Sequence, residues 1–231
     1  MTALELKQLL YSNAPKNGFK PMFFKTNPGD YAEHDKFIGV STPILKKLAQ
    51  QAEKLDLPQI SLLLASPINE ERQLALFILI KQYQKAHNKE EIYQFLLRHL
   101  QHVNNWNLVD NVAPAIIGAH LLNKDKNILL TWTQSADLWE RRIAIVATYY
   151  FIKHNEFDYT LKIATMLLSD THDLIHKAVG WMLREMGKRD ELILREFLDQ
   201  YSLHMPRTML RYAIERLPET TRLYYLTLKK Q

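Results

Sequence analysis

Apolar residues recur with a helical period in several segments of the chain, each bounded by polar or turn-forming residues. The longest of these segments are PINEERQLALFILIKQY, DLWERRIAIVATYYFIK, DLIHKAVGWMLREMGK and PRTMLRYAIERLPE. Such spacing places the apolar side chains along one stripe of an α-helix. Shorter segments of the same kind lie between them, namely KEEIYQFLLRHL, KNILLTW and FDYTLKIATMLL. The pattern predicts an all-α fold.

The four long segments also resemble one another, because each carries an alanine after its polar or basic start. These alanines are Ala75, Ala144, Ala178 and Ala213. The last two intervals are 34 and 35 residues, and the first interval, of 69 residues, is about twice as long. The doubled interval predicts a further repeat helix at Asp110. Helix pairs with this period are typical of an α-solenoid of HEAT-like repeats, whose concave face suits an elongated ligand. We predict one domain over residues 1–231.

Turn-forming residues indicate where two of the helices begin or break. The segment FFKTNPGDYAEHDKFIGVSTP predicts a loop that leads into a helix. Ser41 or Thr42 is suited to cap that helix, with Pro43 in its first turn. Pro114 lacks the amide that would bond the carbonyl of Asp110, so we expect the helix that carries Asp110 to kink or end there.

The composition narrows the possible classes of protein. A chain of 231 residues that is 47% hydrophobic is long enough to bury a core, and six glycines are too few for a dinucleotide-binding fold or a phosphate-binding loop. The chain has no cysteine, which excludes disulfides, thiolate nucleophiles and cysteine-based zinc sites. Without a leader pattern or a long apolar stretch, we expect a cytoplasmic protein. The net charge of +5 suits a polyanionic partner but is common elsewhere.

Five segments resemble those of one known family. They are YAEHDKFIGVSTP, NNWNLVD, WERRIAIVATYYFI, LIHKAVGWMLREMGKRD and MPRTMLRYAIERLPE. Together they are similar to the AlkD-like DNA alkylation repair family of HEAT-like-repeat alkylpurine DNA glycosylases, over nearly the whole chain. The stretches KAVGWMLRE and MPRTMLRYAIE are long enough to be specific, whereas a tryptophan four residues before an aspartate would be weak alone.

The resemblance implies an activity and a set of site residues. It implies excision of cationic alkylated purines, such as 3-methyladenine and 7-methylguanine, from duplex DNA, with backbone-based recognition that does not bury the base. The implied catalytic residues are Trp106, Asp110 and Trp181, and the implied DNA-binding residues include Arg142 and Arg184. The resemblance implies no cofactor and no metal, and we expect a monomer that is nucleoid-associated when bound to DNA.

Elementary chemistry supports the same assignment. A cationic purine is a good leaving group, so the charge to be stabilised is the positive charge that develops on the deoxyribose. A fixed carboxylate stabilises it and can accept a proton from the attacking water. Each indole face adds about 0.5–2 kcal/mol through its quadrupole. The set contains no lysine, which argues for a monofunctional glycosylase without Schiff-base chemistry.

Structural roles compete with these functional ones. Trp181 could be a core residue, although Gly180 beside it leaves room for a close approach. Arg141 and Arg142 are adjacent and point in different directions, so we expect one of them to pair with an acid. Where the family often has aspartate this chain has Asn107, which we expect to face away from Trp106 with little consequence.

Two further groups of residues leave alternatives open. Arg207 and Arg211 lie one turn apart near a helix start, which suits DNA phosphate, but Arg211 could equally pair with Glu215. Paired histidines at helical spacing could hold a metal but lack a recognisable third ligand; they are His99, His102, His172 and His176. The competing functions are a DNA-binding solenoid without catalysis and a protein-interaction scaffold.

Overall fold

A computed structural model describes residues 1–16, 19 and 22–228, and the described chain is built from helices. Its sole β-type pairing among these residues is an isolated bridge between Lys36 and Ile68. None of the described helices is both long and apolar enough to cross a membrane. The prediction of an all-α fold is confirmed. Contacts divide the chain into two compact units, Met1–Val112 and Ala113–Gln231.

The first unit is organised around one long buried helix. Its α-helices are α1 Ala3–Ser12, α2 Thr42–Gln51, α3 Leu57–Leu64, α4 Asn69–Lys85, α5 Lys89–Arg98 and α6 Trp106–Val112. Helix α4 packs against α2, α3, α5 and α6. Every residue of α4 from Asn69 to Leu79 is buried, including five polar or charged side chains within its first turn and a half. A helix surrounded on all sides must bury its polar start as well as its apolar stripe.

The second unit begins with a π-helix, Ala113–Gly118, and continues with a series of α-helices. These are α7 Ala119–Leu121, α8 Asn127–Thr133, α9 Leu138–Lys153, α10 Asp158–Met166, α11 Asp173–Gly187, α12 Glu191–Tyr201, α13 Arg207–Ala213 and α14 Glu219–Thr227. Helix α11 packs against α9, α10, α12 and α13, and α9 packs against the π-helix and α8. The unit is therefore a succession of helices, each of which contacts its near neighbours in the chain.

The seven segments predicted to be helical correspond to α4, α5, α8, α9, α10, α11 and α13. The four alanines of the repeat pattern lie in α4, α9, α11 and α13, and each is at most 1% exposed. Helix α6 carries Asp110 in the predicted place. This succession is consistent with an α-solenoid, whereas the assignment to HEAT-like repeats and to one domain stays a prediction.

Pro114 interrupts the α-helix that begins at Trp106, as expected. The backbone changes from α-helix to π-helix at Ala113, next to Pro114. Without an amide on Pro114, the carbonyl of Asp110 has no ordinary i+4 donor, and a wider turn accommodates this loss. Helix α2 starts at Thr42 after Ser41, with Pro43 in the first turn, but no side chain caps it.

Candidate functional site

A cavity of about 450 Å³ lies in the first unit beside the start of α6. Trp106 and Asp110 both line it, one helical turn apart. The indole of Trp106 stacks on Phe24, with ring centroids 5.1 Å apart and planes inclined by 18°. The ring of Phe37 follows at 4.5 Å from Phe24, so three aromatic side chains form one wall. The sequence did not predict this pocket. Its aromatic wall combines Phe24 and Phe37, which belong to a loop, with Trp106 on a helix that is remote in sequence.

The first turn of α6 is held by hydrogen bonds from residues on either side of Trp106. Asn105 is fully buried, and its side-chain oxygen accepts from the Trp106 amide at 2.7 Å. Asn107 and Asn69 exchange amide hydrogen bonds, of 2.7 Å from Asn107 to Asn69 and 3.3 Å in return. Asn107 also lines the cavity, so the expectation that it faces away from Trp106 and Asp110 is wrong. Its side chain helps to fix the helix that carries them.

A buried carboxylate lies behind these asparagines. The Asp35 side chain is fully buried and pairs with Arg72. It also accepts from Asn69 at 2.9 Å and from Asn105 at 2.5 Å. Arg72 donates in addition to the carbonyl of Ser66 at 2.8 Å. We call Asp35, Arg72, Asn69, Asn105 and Asn107 the Asp35 network. Its several hydrogen bonds offset part of the desolvation that a buried ion pair entails.

A second carboxylate, Glu70, lines the cavity together with Asp110. Glu70 is 5% exposed and accepts from the amides of Gly39 at 2.7 Å and Ile38 at 3.1 Å. Burial raises the pKa of Glu70, against the opposing effect of these backbone donors. Among the described residues, no lysine or arginine forms an ion pair with it. The sequence analysis missed Glu70, although the charged run NEER within an apolar helix was an available signal.

Gly39 allows the loop to approach Glu70 closely. Its φ of +84° is in the left-handed region, and an added Cβ would lie 2.5 Å from the Cβ of Phe19. A side chain there would meet both backbone strain and a steric clash. The two amides that reach Glu70 therefore depend on glycine at this position.

Trp181 lies in the second unit, on α11, and is partly exposed. Its ring centroid is 5.9 Å from that of Tyr149 on α9. Beside it, an added Cβ on Gly180 would lie 2.5 Å from the carbonyl oxygen of Met209 and 2.5 Å from the Cβ of Tyr212. The close approach that Gly180 permits is thus that of α13, and it places the backbones of α11 and α13 in contact.

The adjacent arginines of α9 have different partners. Arg141 forms an ion pair with Asp170 at 2.7 Å, which confirms that one of the two binds an acid. Arg142 is 5% exposed and donates through Nη1 to the carbonyl of Leu174 at 2.5 Å. Arg142 therefore links α9 to the start of α11 within the second unit.

The remaining arginines lie closer to the surface. Arg184 pairs with Glu215 and lies 3.5 Å from a carboxylate oxygen of Glu185. Arg207 donates to a backbone carbonyl of α14 at 3.2 Å. Arg211 is exposed, and its suggested pair with Glu215 is not among the described ion pairs. Helix α13 has only seven residues, so its N-terminus adds little to phosphate binding.

The histidine pairs take part in local hydrogen bonds. His172 Nδ1 accepts from the Leu174 amide at 3.1 Å, and His176 Nε2 lies 2.5 Å from the carbonyl oxygen of Asp170. His99 contacts the carbonyl of Phe95 at 2.8 Å. Within the described part of the chain, no three His, Cys, Asp or Glu side chains cluster in a way that could hold a metal.

The fold and these residues define an all-helical protein with a tryptophan and an aspartate one turn apart beside a cavity. A family model described as DNA alkylation repair enzyme matches residues 6–217 of the chain. The protein belongs to this DNA alkylation repair family, and the resemblance drawn from its motifs is confirmed.

Two solved structures are similar in fold. One is described as a predicted DNA alkylation repair enzyme from Enterococcus faecalis, with a TM-score of 0.67 and 20% identity over 85% of this chain and 98% of that one. The other is smu.31 from Streptococcus mutans UA159, with a TM-score of 0.55 and 19% identity over 74% of this chain and 89% of that one. No curated protein matches the chain.

Proposed function

We propose that the protein is a monofunctional DNA glycosylase that excises cationic alkylated purines, of the 3-methyladenine and 7-methylguanine type, from duplex DNA. Such an enzyme would begin base excision repair. The observation that carries the proposal is that Trp106 and Asp110 lie one helical turn apart on α6. Both residues occupy the family motif NNWNLVD, and both line one cavity with an aromatic wall.

The proposed reaction is hydrolysis of the bond between C1′ of the deoxyribose and the purine nitrogen. The bonding electrons leave with the base and neutralise its positive charge, while water adds to C1′ and gives up a proton. The Asp110 carboxylate stabilises the cationic sugar and receives that proton directly or through water. The indole of Trp106 presents its π-electrons to the same cation. No lysine is needed, since no Schiff base forms.

The residues of the second unit receive their roles from the family motif. We assign to Trp181 the second indole, and to Arg142, Arg184, Arg207 and Arg211 contacts with the DNA backbone. Because two carboxylates lie beside Arg184, its contribution to phosphate binding should be smaller than that of the exposed Arg211. Arg142 already donates through Nη1 to the carbonyl of Leu174.

The test is the release of methylated purines from methylated duplex DNA by the purified protein in buffer that contains a chelator. Asp110→Asn removes the negative charge with little change in size, so we expect excision to fall by at least about 100-fold, the scale lost with one electrostatic stabiliser. Binding to undamaged duplex DNA should remain. Chromatography of the released bases measures the first quantity, and a salt-dependent binding titration measures the second.

The matched control is Asp158→Asn, which makes the same chemical change at an exposed position in the first turn of α10. It should excise as fast as the parent. Equal rates for the parent and Asp110→Asn would contradict the assigned mechanism. If the parent binds DNA but releases no base, the protein is a DNA-binding member without catalysis, and if it does neither, a protein-interaction scaffold becomes the better interpretation.

A further inference from the structure

We propose that Glu70 is a positioning residue for the indole of Trp106, which it orients through the aromatic wall of the cavity. This inference rests on the proposed function, because it concerns how one of the assigned catalytic groups is held. Glu70 lies on α4 and Trp106 on α6, and two phenylalanines of the loop between α1 and α2 link them. Each step of the link is a backbone hydrogen bond or a contact between rings.

The link begins where the carboxylate of Glu70 binds the backbone of the loop. Oε1 accepts from the amide of Gly39 at 2.7 Å and from that of Ile38 at 3.1 Å, and Oε2 lies 3.2 Å from the same Ile38 amide. Glu70 is 5% exposed, so water has little access to replace it at these amides. The carboxylate therefore clamps the backbone directly after Phe37.

The backbone on the other side of Phe37 is fixed as well. Lys36 forms an isolated β-bridge with Ile68. Its amide donates to the carbonyl of Pro67 at 3.0 Å, and its carbonyl accepts from the amide of Asn69 at 2.8 Å. Phe37 thus lies between two anchors at the start of α4, and together they fix the direction in which its side chain leaves the backbone.

The rings extend this order to Trp106. Phe37 contacts Phe24 with centroids 4.5 Å apart, and Phe24 stacks on the indole at 5.1 Å. Packed aromatic rings favour specific relative orientations. The backbone of Trp106 is held separately by Asn105, so the freedom that the wall removes is rotation of the indole. An indole stabilises a cation only through its face, so a loosened wall should slow base release.

An alternative role for Glu70 is direct stabilisation of the sugar cation by its charge, since it lines the same cavity as Asp110. The two roles differ in what they require of the side chain. Glu70→Gln removes the charge but keeps an oxygen that can serve both amides, because Oε1 alone already accepts from Ile38 and Gly39. Glu70→Ala removes the acceptor altogether. A clamp distinguishes these variants, whereas a purely electrostatic role does not.

The experiment labels the protein with 5-fluorotryptophan and assigns the fluorine resonance of Trp106 from its absence in Trp106→Phe. Glu70→Ala should shift or broaden that resonance and leave those of the other tryptophans unchanged. Its single-turnover rate of base release should fall by at least about tenfold, on the scale lost when a catalytic group is misplaced. Affinity for duplex DNA should stay close to that of the parent. Glu70→Gln should restore the Trp106 resonance and most of the rate.

The matched control is Glu33→Ala. The Glu33 carboxylate also accepts from a glycine amide, that of Gly29 at 2.6 Å, but at an exposed position. Water can replace it there, so the Trp106 resonance and the rate should match those of the parent. Circular dichroism checks that each variant is folded. If Glu70→Ala does not fold, Phe37→Leu interrupts the same link beyond the clamp and should change the Trp106 resonance in the same way.

An unchanged Trp106 resonance in a folded Glu70→Ala or Phe37→Leu would overturn the inference. A Glu70→Gln variant with the parent's resonance but the rate of Glu70→Ala would also overturn it, because the charge of Glu70 would then act directly. Failure of the proposed function is distinguishable from either result. A parent that releases no base contradicts the glycosylase proposal, while the fluorine spectra still decide whether Glu70 orients Trp106.

Discussion

The two units hold their tryptophans in different ways. In the first unit, Trp106 follows the buried Asn105, and side-chain hydrogen bonds to α4 and to Asp35 fix the start of its helix. In the second unit, Trp181 follows Gly180, and the backbones of α11 and α13 meet with no room for a Cβ. Polar side chains position one tryptophan, and backbone packing positions the other.

This difference predicts how each region responds to change. Hydrogen bonds in the Asp35 network are directional and share partners, so the loss of one member leaves another buried group without its partner. The contact between α11 and α13 depends instead on close packing of the two helices. A small added side-chain group can be accommodated by a small displacement of one helix. The first region should therefore be more sensitive to single substitutions than the second.

The largest expected effect is that of Asp35→Ala. It leaves the guanidinium of Arg72, which is 3% exposed, without its buried counter-charge. Breaking one side of a buried pair typically costs about 3–5 kcal/mol of folding free energy. Urea denaturation of the purified variant measures this loss. A loss below about 1 kcal/mol would show that the network does not stabilise the first unit in the proposed way.

The control for Asp35→Ala is Glu53→Ala. Glu53 forms an ion pair with Lys85 at 2.8 Å, but the pair is on the surface. Water screens such a pair and solvates either partner alone, so the unfolding midpoint should hardly change. The contrast between the two variants separates a buried pair from an exposed one within the same unit.

Much of the fold follows from periodicity alone. Apolar spacing predicted α9 and α11 nearly to their ends, because both are long helices with polar starts and many apolar residues. Helix α12 was not predicted, although Asp190 caps it through two backbone amides and its apolar residues have helical spacing. The π-helix after α6 could be expected only as a distortion, since proline indicates a break but not the form it takes.

The candidate site was predictable only in part. The motif NNWNLVD indicated Trp106 and Asp110, because both residues lie in one short segment. The partners that fix them are remote in sequence: Asp35 is 70 residues from Asn105, and Glu70 is 31 residues from Gly39. One sequence without an alignment contains no signal for such pairings. Both carboxylates resembled ordinary surface charges until the tertiary contacts placed them inside.

A smaller effect is expected for Asn107→Asp, which introduces the residue that the family often has. The Asn107 amide donates to Asn69 at 2.7 Å, and an aspartate cannot donate there. The buried Asn69 oxygen would lose its donor, at a cost of about 1–3 kcal/mol. Urea denaturation measures the change. Asn88→Asp is the control, since Asn88 caps α5 only through its oxygen and should tolerate the exchange. Equal stability of both variants would refute this role of Asn107.

The smallest of the three effects is expected for Gly180→Ala. An added Cβ would lie 2.5 Å from the Met209 carbonyl, so α11 and α13 must separate slightly, at about 1–3 kcal/mol. Alanine regains up to about 1 kcal/mol of helix propensity, which leaves a net loss of about 1–2 kcal/mol.

The control for Gly180→Ala is Gly187→Ala at the end of the same helix. The nearest atoms there all belong to the side chain of Leu194, so a shift of one side chain can accommodate the added Cβ, and the loss in a thermal melt should be smaller than for Gly180→Ala. If the two variants have the same melting temperature, rigid contact between the backbones of α11 and α13 does not position Trp181. A lower melting temperature for Gly180→Ala alone would establish that contact as the second unit's counterpart of the Asp35 network.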